Sequence, residues 1–179
     1  TFVEGGTYHN LKDLASLPLR AEHMVYPTWR SRNIALTKGK LLLDTLQERE
    51  ILLHPPYHSY EPVVRFFNEA AVDRNVTHIY VTLYRVANSS RIASALCHAA
   101  QNGKKVMVFV ELKARFDEAN NIKWAKKMKA SGVSIVSSMP ELKVHAKIAL
   151  VKRRVPAKDN RYEYLGLLST GNFNESTDR

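Results

Sequence analysis

The sequence predicts an α/β domain with a mixed, largely parallel sheet flanked by helices, preceded by a short remnant of an upstream domain. From residue 51, apolar stripes at helical spacing alternate with short runs rich in β-branched and aromatic residues. The resulting order is helix, strand, helix, strand, helix, strand and then two more strands, which is typical of an α/β fold. One run, KVMVFVEL at 105–112, is nearly all apolar, as expected of a strand that is buried on both faces.

The first helix and the first strand of this pattern lie within residues 59–86. SYEPVVRFFNEAAVD offers Ser59 as an N-cap and a proline in the first turn, and its apolar residues recur at helical spacing. THIYVTLYRV then predicts a strand, because β-branched and aromatic side chains favour extended backbone. Arg85 falls at the carboxyl end of that strand.

The remaining elements are predicted from their start and stop signals. SSRIASALCHAAQNGKK begins with serine caps and ends at Asn102-Gly103, a common helix stop. After the apolar strand, EANNIKWAKKMKASG predicts a helix that ends at Gly132, and VSIV predicts a short strand. KVHAKIALVKRR and YEYLGLLST predict the last two strands, which the polar turn VPAKDN would join.

Residues 1–50 lack this regular alternation, and we expect them to be the end of an upstream domain plus a linker. Residues 51–179 would then form the main domain, truncated at its C-terminal end. The missing initiator methionine and the abrupt end at NFNESTDR suggest an excised fragment.

Composition narrows the class of partner but does not choose one. Lysine and arginine number 27 against 17 acids, a formal charge of +10, which favours nucleic acid, phosphorylated metabolites, anionic lipid or phosphate chains. The single cysteine, Cys97, excludes an internal disulfide and a cysteine-cluster metal site. Because no apolar run reaches the roughly 20 residues of a membrane-spanning helix, we expect a cytoplasmic protein, with peripheral membrane association left open.

The stretch ELKVHAKIAL, residues 141–150, places His145 and Lys147 two apart on a predicted strand. Because strand side chains alternate, these two residues would share one face with Lys143. The opposite, apolar face would carry Val144, Ala146, Ile148 and Leu150. A half-buried strand with a cationic outer face is the simpler interpretation. The alternative is chemical: a neutral imidazole can accept a phosphoryl group, and the nearby ammonium would stabilise its oxygens.

Two arginines and an asparagine-rich turn are predicted at one rim of the sheet. Ligand sites of open α/β sheets lie beyond the carboxyl ends of the strands, where Arg85 follows the first strand and Arg115 the second. Their guanidinium groups could hold a phosphate, although each could equally be a surface arginine paired with an acid. In STGNFN, residues 169–174, Asn172 and Asn174 could donate hydrogen bonds to phosphoryl oxygens, or form a plain Asn/Gly turn.

These motifs together resemble a known family. His145-x-Lys147 followed by Gly171-Asn172-x-Asn174 resembles half of the active site of the phospholipase D superfamily. Longer stretches resemble the polyphosphate kinases, which make long phosphate polymers from ATP: LLHPPYHSYEPVVRFFNEAA, LYRVANSSRIASAL, NGKKVMVFVELKARFDEANNIKWAKKMKASGV, LKVHAKIALV and STGNFN. The resemblance is dense from about residue 51 to the end and thinner through GGTYHNLKD.

The resemblance implies a first catalytic domain of phospholipase D-like fold and a reaction. His145 would become a phosphohistidine by accepting the γ-phosphoryl group of ATP, and would pass it reversibly to the end of an inorganic polyphosphate chain. Arg85 and Arg115 would bind phosphate near Mg²⁺, with the metal bridged through phosphate oxygens. Lys147 would be a supporting cation.

The resemblance also implies further site residues and partners. Asn172 and Asn174 would bind phosphate, and ATP or ADP and polyphosphate would be the substrates. Superfamily members build one site from two similar halves, and the sequence holds no second His-x-Lys motif. We therefore expect the isolated fragment to be nearly inactive, with the second half supplied by a missing C-terminal region, and we expect the full-length enzyme to be a homo-oligomer.

Two other functions remain open from the sequence. The first is a phosphodiesterase or nuclease of the same superfamily, which would share the phosphohistidine chemistry. The second is a non-catalytic basic module that binds nucleic acid through NGKK, WAKKMK and VKRR, although such runs are more often solvated surfaces. If the kinase hypothesis holds, no nucleic acid is expected as a partner.

Overall fold

A computed structural model of the chain describes most of it, and the elements follow the predicted order. The described residues are 23, 26–27, 29–36, 39–111, 118–137, 143–155 and 161–177. The helices are α1 (Leu42–Glu48), α2 (Glu61–Val72), α3 (Arg91–Gln101) and α4 (Glu118–Ala130), with a short 3₁₀ turn at Glu175–Thr177. The strands are β1 (Val76–Leu83), β2 (Lys105–Val110), β3 (Ser134–Ser137), β4 (Lys147–Arg154) and β5 (Tyr162–Ser169). Of these described helices, none is long and apolar enough to cross a bilayer.

The strands form one sheet in the order β3-β2-β1-β4-β5. β1 and β2 pair in parallel, as do β2 and β3, whereas β4 is antiparallel to both of its neighbours. β1, β2, β3 and β5 therefore run in one direction and β4 runs in the other. This confirms the prediction of a mixed, largely parallel sheet flanked by helices.

Among the described residues, the helices pack on one face of the sheet, and that face holds the core. α2 packs against β1 and α3, α3 packs against β2, and α4 packs against β3. In β2, Val106, Val108 and Val110 are buried, but Met107 on the opposite face is 44% exposed. The prediction that this strand is buried on both faces is therefore wrong. The strand carries apolar side chains on both of its faces, but the described helices cover only one of them.

Helix α1 was not predicted, and it belongs to the same core. Leu42 and Leu43 are buried, and the backbone N–H of Leu43 donates a hydrogen bond of 3.0 Å to Glu69 Oε2 of α2. Residues 42–48 thus pack with elements that follow residue 50. The domain boundary at residue 50 stays a prediction.

Helix starts and stops follow the predicted signals, with one exception. Ser90 Oγ accepts a hydrogen bond of 3.0 Å from Ala93 N, which confirms the serine cap of α3. Gly103 and Gly132 have φ values of +79° and +91°, a left-handed conformation that glycine adopts without steric cost. The predicted cap at Ser59 is wrong, because α2 starts one residue later and Ser59 Oγ accepts only from Glu61 N, at 3.2 Å.

Candidate active site

The candidate site lies at the rim of the sheet where β1 and β5 end and β4 begins. The strand register pairs Val81 with Ala149 and Ser169 with Lys147, so these three strand ends meet at one rim. His145 lies two residues before β4, and Arg85 lies two residues after β1. The antiparallel return of β4 therefore brings His145 and Lys147 to the carboxyl end of β1, close to Arg85.

His145 and Lys147 are in direct contact. The Lys147 ammonium nitrogen lies 3.1 Å from Nδ1 and 3.1 Å from Nε2 of the imidazole. An ammonium group only donates hydrogen bonds, and this one is equally near to both ring nitrogens, so the contact does not select either of them. The contact places a positive charge directly beside the imidazole, where it would stabilise the oxygens of a phosphoryl group at the ring. The His145 ring is exposed to solvent, so a second molecule can reach it.

The burial of β4 corrects the predicted faces of this segment. Lys147 is only 6% exposed and shares the covered face of the sheet with Ala149, whereas Ile148 is 42% exposed on the other face. The predicted outer cationic face is thus wrong for Lys147, and the predicted apolar face points away from the helices. The strand starts only at Lys147, so strict alternation does not extend back through His145. Burial lowers the pKa of Lys147 below the ordinary lysine value.

Tyr84 places one aromatic ring among the cationic groups, and the sequence did not single it out. Its ring centroid lies 5.4 Å from that of His145, with the two planes at 74°. Lys147 Nζ lies 5.5 Å from the Tyr84 centroid, and the guanidinium carbon of Arg85 lies 6.0 Å from it. Tyr84 therefore lies close to three of the predicted site residues, His145, Lys147 and Arg85. Its position directly after a strand, next to Arg85, was the available signal.

Glu111 is a second residue that sequence reasoning missed. It directly follows β2, its side chain is buried, and its Oε2 accepts a hydrogen bond of 3.2 Å from Val144 N. The carboxylate therefore holds the backbone of the residue that precedes His145. A charged residue at the end of an otherwise apolar strand was a signal for such a role, because buried carboxylates need hydrogen-bond donors.

The turn after β5 is anchored to the core through Phe173. This side chain is buried, and its ring lies 5.8 Å from that of Phe67 in α2. The hydroxyl of Tyr60 donates a hydrogen bond of 3.4 Å to the Asn172 carbonyl, and Asn174 Oδ1 accepts one of 2.9 Å from Ser176 N. The Oδ1 atom of Asn174 thus stabilises the turn itself. Because Ser169 pairs with Lys147, the turn leaves the sheet at the same rim.

Arg115 and the phosphate-binding roles stay predictions. Arg115 lies outside the described residues, so its place relative to Arg85 is not part of the structure. Asn172 Oδ1 is buried and has no hydrogen-bond partner among the described residues, so this amide has unused hydrogen-bonding capacity. Within the described ranges, no three histidine, cysteine, aspartate or glutamate side chains are grouped to hold a metal ion.

Comparison with known proteins gives consistent matches along the chain. Residues 41–179 match a family model described as polyphosphate kinase C-terminal domain 1. The chain is 44% identical over 183 residues to a polyphosphate kinase of Escherichia coli (strain K12), which covers 100% of this chain and 26% of that protein. It is 46% identical over 157 residues to a polyphosphate kinase of Exiguobacterium sibiricum, covering 87% of this chain and 21% of that protein.

A solved structure supports the same match. The crystal structure of the polyphosphate kinase from Porphyromonas gingivalis superposes with a TM-score of 0.72 and 46% sequence identity. The superposition covers 97% of this chain and 29% of that one. The chain thus spans about a quarter of the length of the curated relatives that it matches.

Proposed function

The chain belongs to the polyphosphate kinase family, and from that membership we propose that it supplies half of the catalytic site of an ATP–polyphosphate phosphotransferase. An imidazole nitrogen of His145 forms a bond to the γ-phosphorus of ATP while the bond from that phosphorus to the β–γ bridging oxygen breaks and ADP leaves. The phosphohistidine then transfers its phosphoryl group to a terminal oxygen of inorganic polyphosphate. The same steps run backwards when ADP accepts the group.

The contact between His145 and Lys147 is the observation that carries this proposal. Lys147 Nζ lies 3.1 Å from both ring nitrogens of His145, and the ring is exposed to an incoming phosphoryl group. As the nitrogen attacks, the ammonium can transfer its hydrogen bond to a phosphoryl oxygen. Phosphoryl transfer depends mainly on positioning and on stabilising this charge, and the partly covered position of Lys147 strengthens its electrostatic effect.

Arg85 supplies a second cation near Tyr84, with its guanidinium carbon 6.0 Å from the centre of that ring. Its guanidinium is permanently charged and can bind two phosphoryl oxygens at once. Asn172, in the turn after β5, would donate a hydrogen bond from Nδ2 to a further phosphoryl oxygen, a role that is proposed from the family resemblance. Asn174 and Arg115 are proposed for the same purpose from the family resemblance alone.

Mg²⁺ fits this set of residues only as a partner of phosphate. Guanidinium and ammonium groups have no lone pair to ligate a cation, so Arg85 and Lys147 cannot hold the metal themselves. Mg²⁺ keeps several waters and binds readily to nucleotide phosphates. When bound, it would neutralise charge on the phosphate oxygens that the two cationic side chains also contact.

The remaining partners follow from the family rather than from contacts. A second His-x-Lys half, supplied by polypeptide outside this chain, would complete the site, and ATP or ADP and polyphosphate would be its substrates. Assembly of the full-length enzyme as a homo-oligomer and a cytoplasmic location are part of the same proposal.

Mapping of covalent phosphate in the intact protein that contains this chain tests the function. We expect ATP labelled in its γ-phosphate to give an acid-labile label on His145. Added polyphosphate should move the label into polymer, and added ADP should move it into ATP. A label that maps outside the His-x-Lys motif would contradict the role of His145. Hydrolysis of phosphodiesters without dependence on ATP or polyphosphate would contradict the kinase function.

We predict that Tyr84→Leu slows phosphoenzyme formation about fivefold, because an aromatic contact is worth about 1 kcal/mol and about 1.4 kcal/mol corresponds to a factor of ten. Tyr84→Phe keeps the ring and should stay within about twofold of wild type. Single-turnover labelling from ATP measures both. Tyr80→Leu, which removes a ring stacked on His78 elsewhere on β1, is the matched control and should not change the rate. Equal rates for the leucine and phenylalanine variants of Tyr84 would exclude a role for its ring.

The pH dependence of phosphoenzyme formation should report Lys147. Because burial lowers the pKa of Lys147 below its ordinary value of 10.5, the cation loses its proton at a lower pH than a free lysine does. We expect the rate of phosphoenzyme formation to fall as the pH rises through the pKa of Lys147. Lys147→Arg keeps the charge to higher pH and should shift the alkaline limb upward. Lys143→Arg, on the exposed residue of the same segment, should leave the limb in place. A limb that is identical in all three proteins would exclude Lys147 as its source.

A further inference from the structure

Asn121 is a fully buried amide in α4 that bonds to the ends of two strands at once. It is 0% exposed, and its Nδ2 donates hydrogen bonds to the Tyr84 carbonyl at 2.8 Å and to the Glu111 carbonyl at 3.0 Å. Its Oδ1 accepts a hydrogen bond of 3.3 Å from Val86 N. Three of the four hydrogen bonds that an asparagine amide can make are therefore directed at the loops after β1 and β2.

These hydrogen bonds link the two segments beyond the point where the backbone hydrogen bonds between β1 and β2 end. The last backbone bond between the two strands runs from Glu111 N to the Leu83 carbonyl, at 3.0 Å. Beyond this bond the backbone pairing of β1 and β2 ends, and the backbone carbonyls of Tyr84 and Glu111 need other hydrogen-bond donors. Asn121 supplies both donors from one side chain, so it sets the distance between the two chain segments.

Each of these two segments contacts either His145 or the residue before it. The Tyr84 ring lies 5.4 Å from the His145 ring, and Glu111 Oε2 accepts a hydrogen bond from Val144 N. The hydrogen bonds of Asn121 go to Tyr84, Val86 and Glu111, and none of them reaches His145 itself. Asn121 is joined to His145 by two routes, one through a side chain and one through the backbone of the preceding residue.

Two further side chains of α4 hold the loop after β1 in the same way. Asn120 Nδ2 donates a hydrogen bond of 2.6 Å to the Val86 carbonyl, and Trp124 Nε1 donates one of 3.0 Å to the Ala87 carbonyl. The first turns of α4 and the loop that carries Tyr84 and Arg85 are therefore bonded together as one unit.

We propose that Asn121 is a positioning residue for phosphoryl transfer to His145. It fixes Tyr84 and Glu111 relative to each other, and through them it fixes the direction in which the imidazole faces the incoming phosphorus. The inference rests on the proposed function, because it needs His145 to be the group that reacts. Asn121 contacts no reacting atom, so its loss should lower the rate of the chemical step and leave substrate affinity nearly unchanged.

The experiment compares Asn121→Ala with Asn102→Ala in the intact protein. Asn102 Nδ2 donates a comparable hydrogen bond of 3.0 Å to the Ala71 carbonyl, but at the opposite end of the sheet, where α3 ends. We expect Asn121→Ala to lower the maximal single-turnover rate of His145 phosphorylation about tenfold to a hundredfold, since small misplacements of reacting groups have effects of this size. The ATP concentration that gives half of the maximal rate should stay within about twofold, and Asn102→Ala should leave both quantities unchanged.

Asn121→Ser provides a second variant in case the alanine protein does not fold. Its hydroxyl can still donate one hydrogen bond, and we expect a rate between those of wild type and Asn121→Ala. A serine variant and, where it folds, an alanine variant that react at the wild-type rate would overturn the proposal. An equal rate loss in Asn102→Ala would also overturn it, because the effect would then be a general loss of stability.

A measurement that does not depend on turnover separates this inference from the proposed function. Amide hydrogen exchange at residues 84–87 and at Val144 should become faster in the Asn121 variants and stay unchanged in Asn102→Ala. If exchange responds in this way but His145 never carries phosphate, the proposed function fails and the positioning of its segment stands. If exchange at these amides does not change, the positioning inference fails even when the enzyme is active.

Discussion

His145→Ala, introduced into the intact protein that contains this chain, should abolish both labelling from γ-labelled ATP and synthesis of polyphosphate. We expect the rate to fall at least about a thousandfold, because loss of a covalent nucleophile removes the whole reaction path. Alanine also removes the ring that Lys147 and Tyr84 contact, so nothing else at that position can accept phosphorus. Acid-labile incorporation of phosphate and polymer formation, followed in parallel, are the two measurements.

A matched control removes an imidazole from elsewhere in the domain. His98 is exposed on α3, and His98→Ala should keep full labelling and full polymer synthesis. A His145→Ala protein that is still labelled at the wild-type level would show that the phosphorylated residue lies elsewhere. A protein that is not labelled but still makes polymer would show that transfer does not pass through a phosphohistidine at this position.

Arg153→Met should destabilise the domain by about 3–5 kcal/mol, the usual result of removing one partner from a buried ionic cluster. Arg153 lies on the covered face of β4, and its guanidinium pairs with three carboxylates from separate elements. These are Asp44 of α1 at 2.8 Å, Asp73 after α2 at 2.7 Å and Glu163 of β5 at 3.3 Å. Without the guanidinium, the three acids would lose the positive charge that they share.

Urea unfolding followed by circular dichroism measures this loss, and Arg91→Met is the matched control. Arg91 also binds a carboxylate through two hydrogen bonds, of 2.8 and 2.7 Å to Glu61, but the pair is solvent-exposed. Exposed pairs contribute at most about 1 kcal/mol, so Arg91→Met should have a small effect. If the two substitutions destabilise the domain equally, the Arg153 cluster does not hold α1, α2 and β5 together.

The order of helices and strands after residue 51 was predictable because its signals are local. The serine cap at Ser90 and the left-handed glycines at 103 and 132 act within one turn of backbone, so no tertiary information is needed to recognise them. The one misplaced cap, at Ser59, differs by a single residue, since the side chain of Ser59 bonds to the first residue of α2 rather than capping it. Helix α1 was missed because its short apolar pattern follows residues without a clear period.

The other wrong predictions concern the faces of strands. Periodicity identified alternating sides on β4, but which side the helices cover depends on packing from α1 and α2. The face of β4 that carries Lys147 and Arg153 is the covered one. Arg153 pairs with three acids there, and Lys147 lies beside His145 at the edge of the sheet. In β2 the apolar run suggested two covered faces, whereas the described helices cover only one.

For the candidate site, the amino-acid sequence alone determined the His-x-Lys motif, the charge and the rim of the sheet at which Arg85 was expected. Those features follow from spacing along the chain and from the direction of parallel strands. Only the tertiary structure decided that Tyr84 contacts His145, that Glu111 and Asn121 hold the neighbouring backbone, and that Lys147 is buried beside the ring. The reason is physical: β1, β2, α4 and β4 are far apart in sequence, and side chains meet across them only after strand pairing and helix packing have set their relative positions.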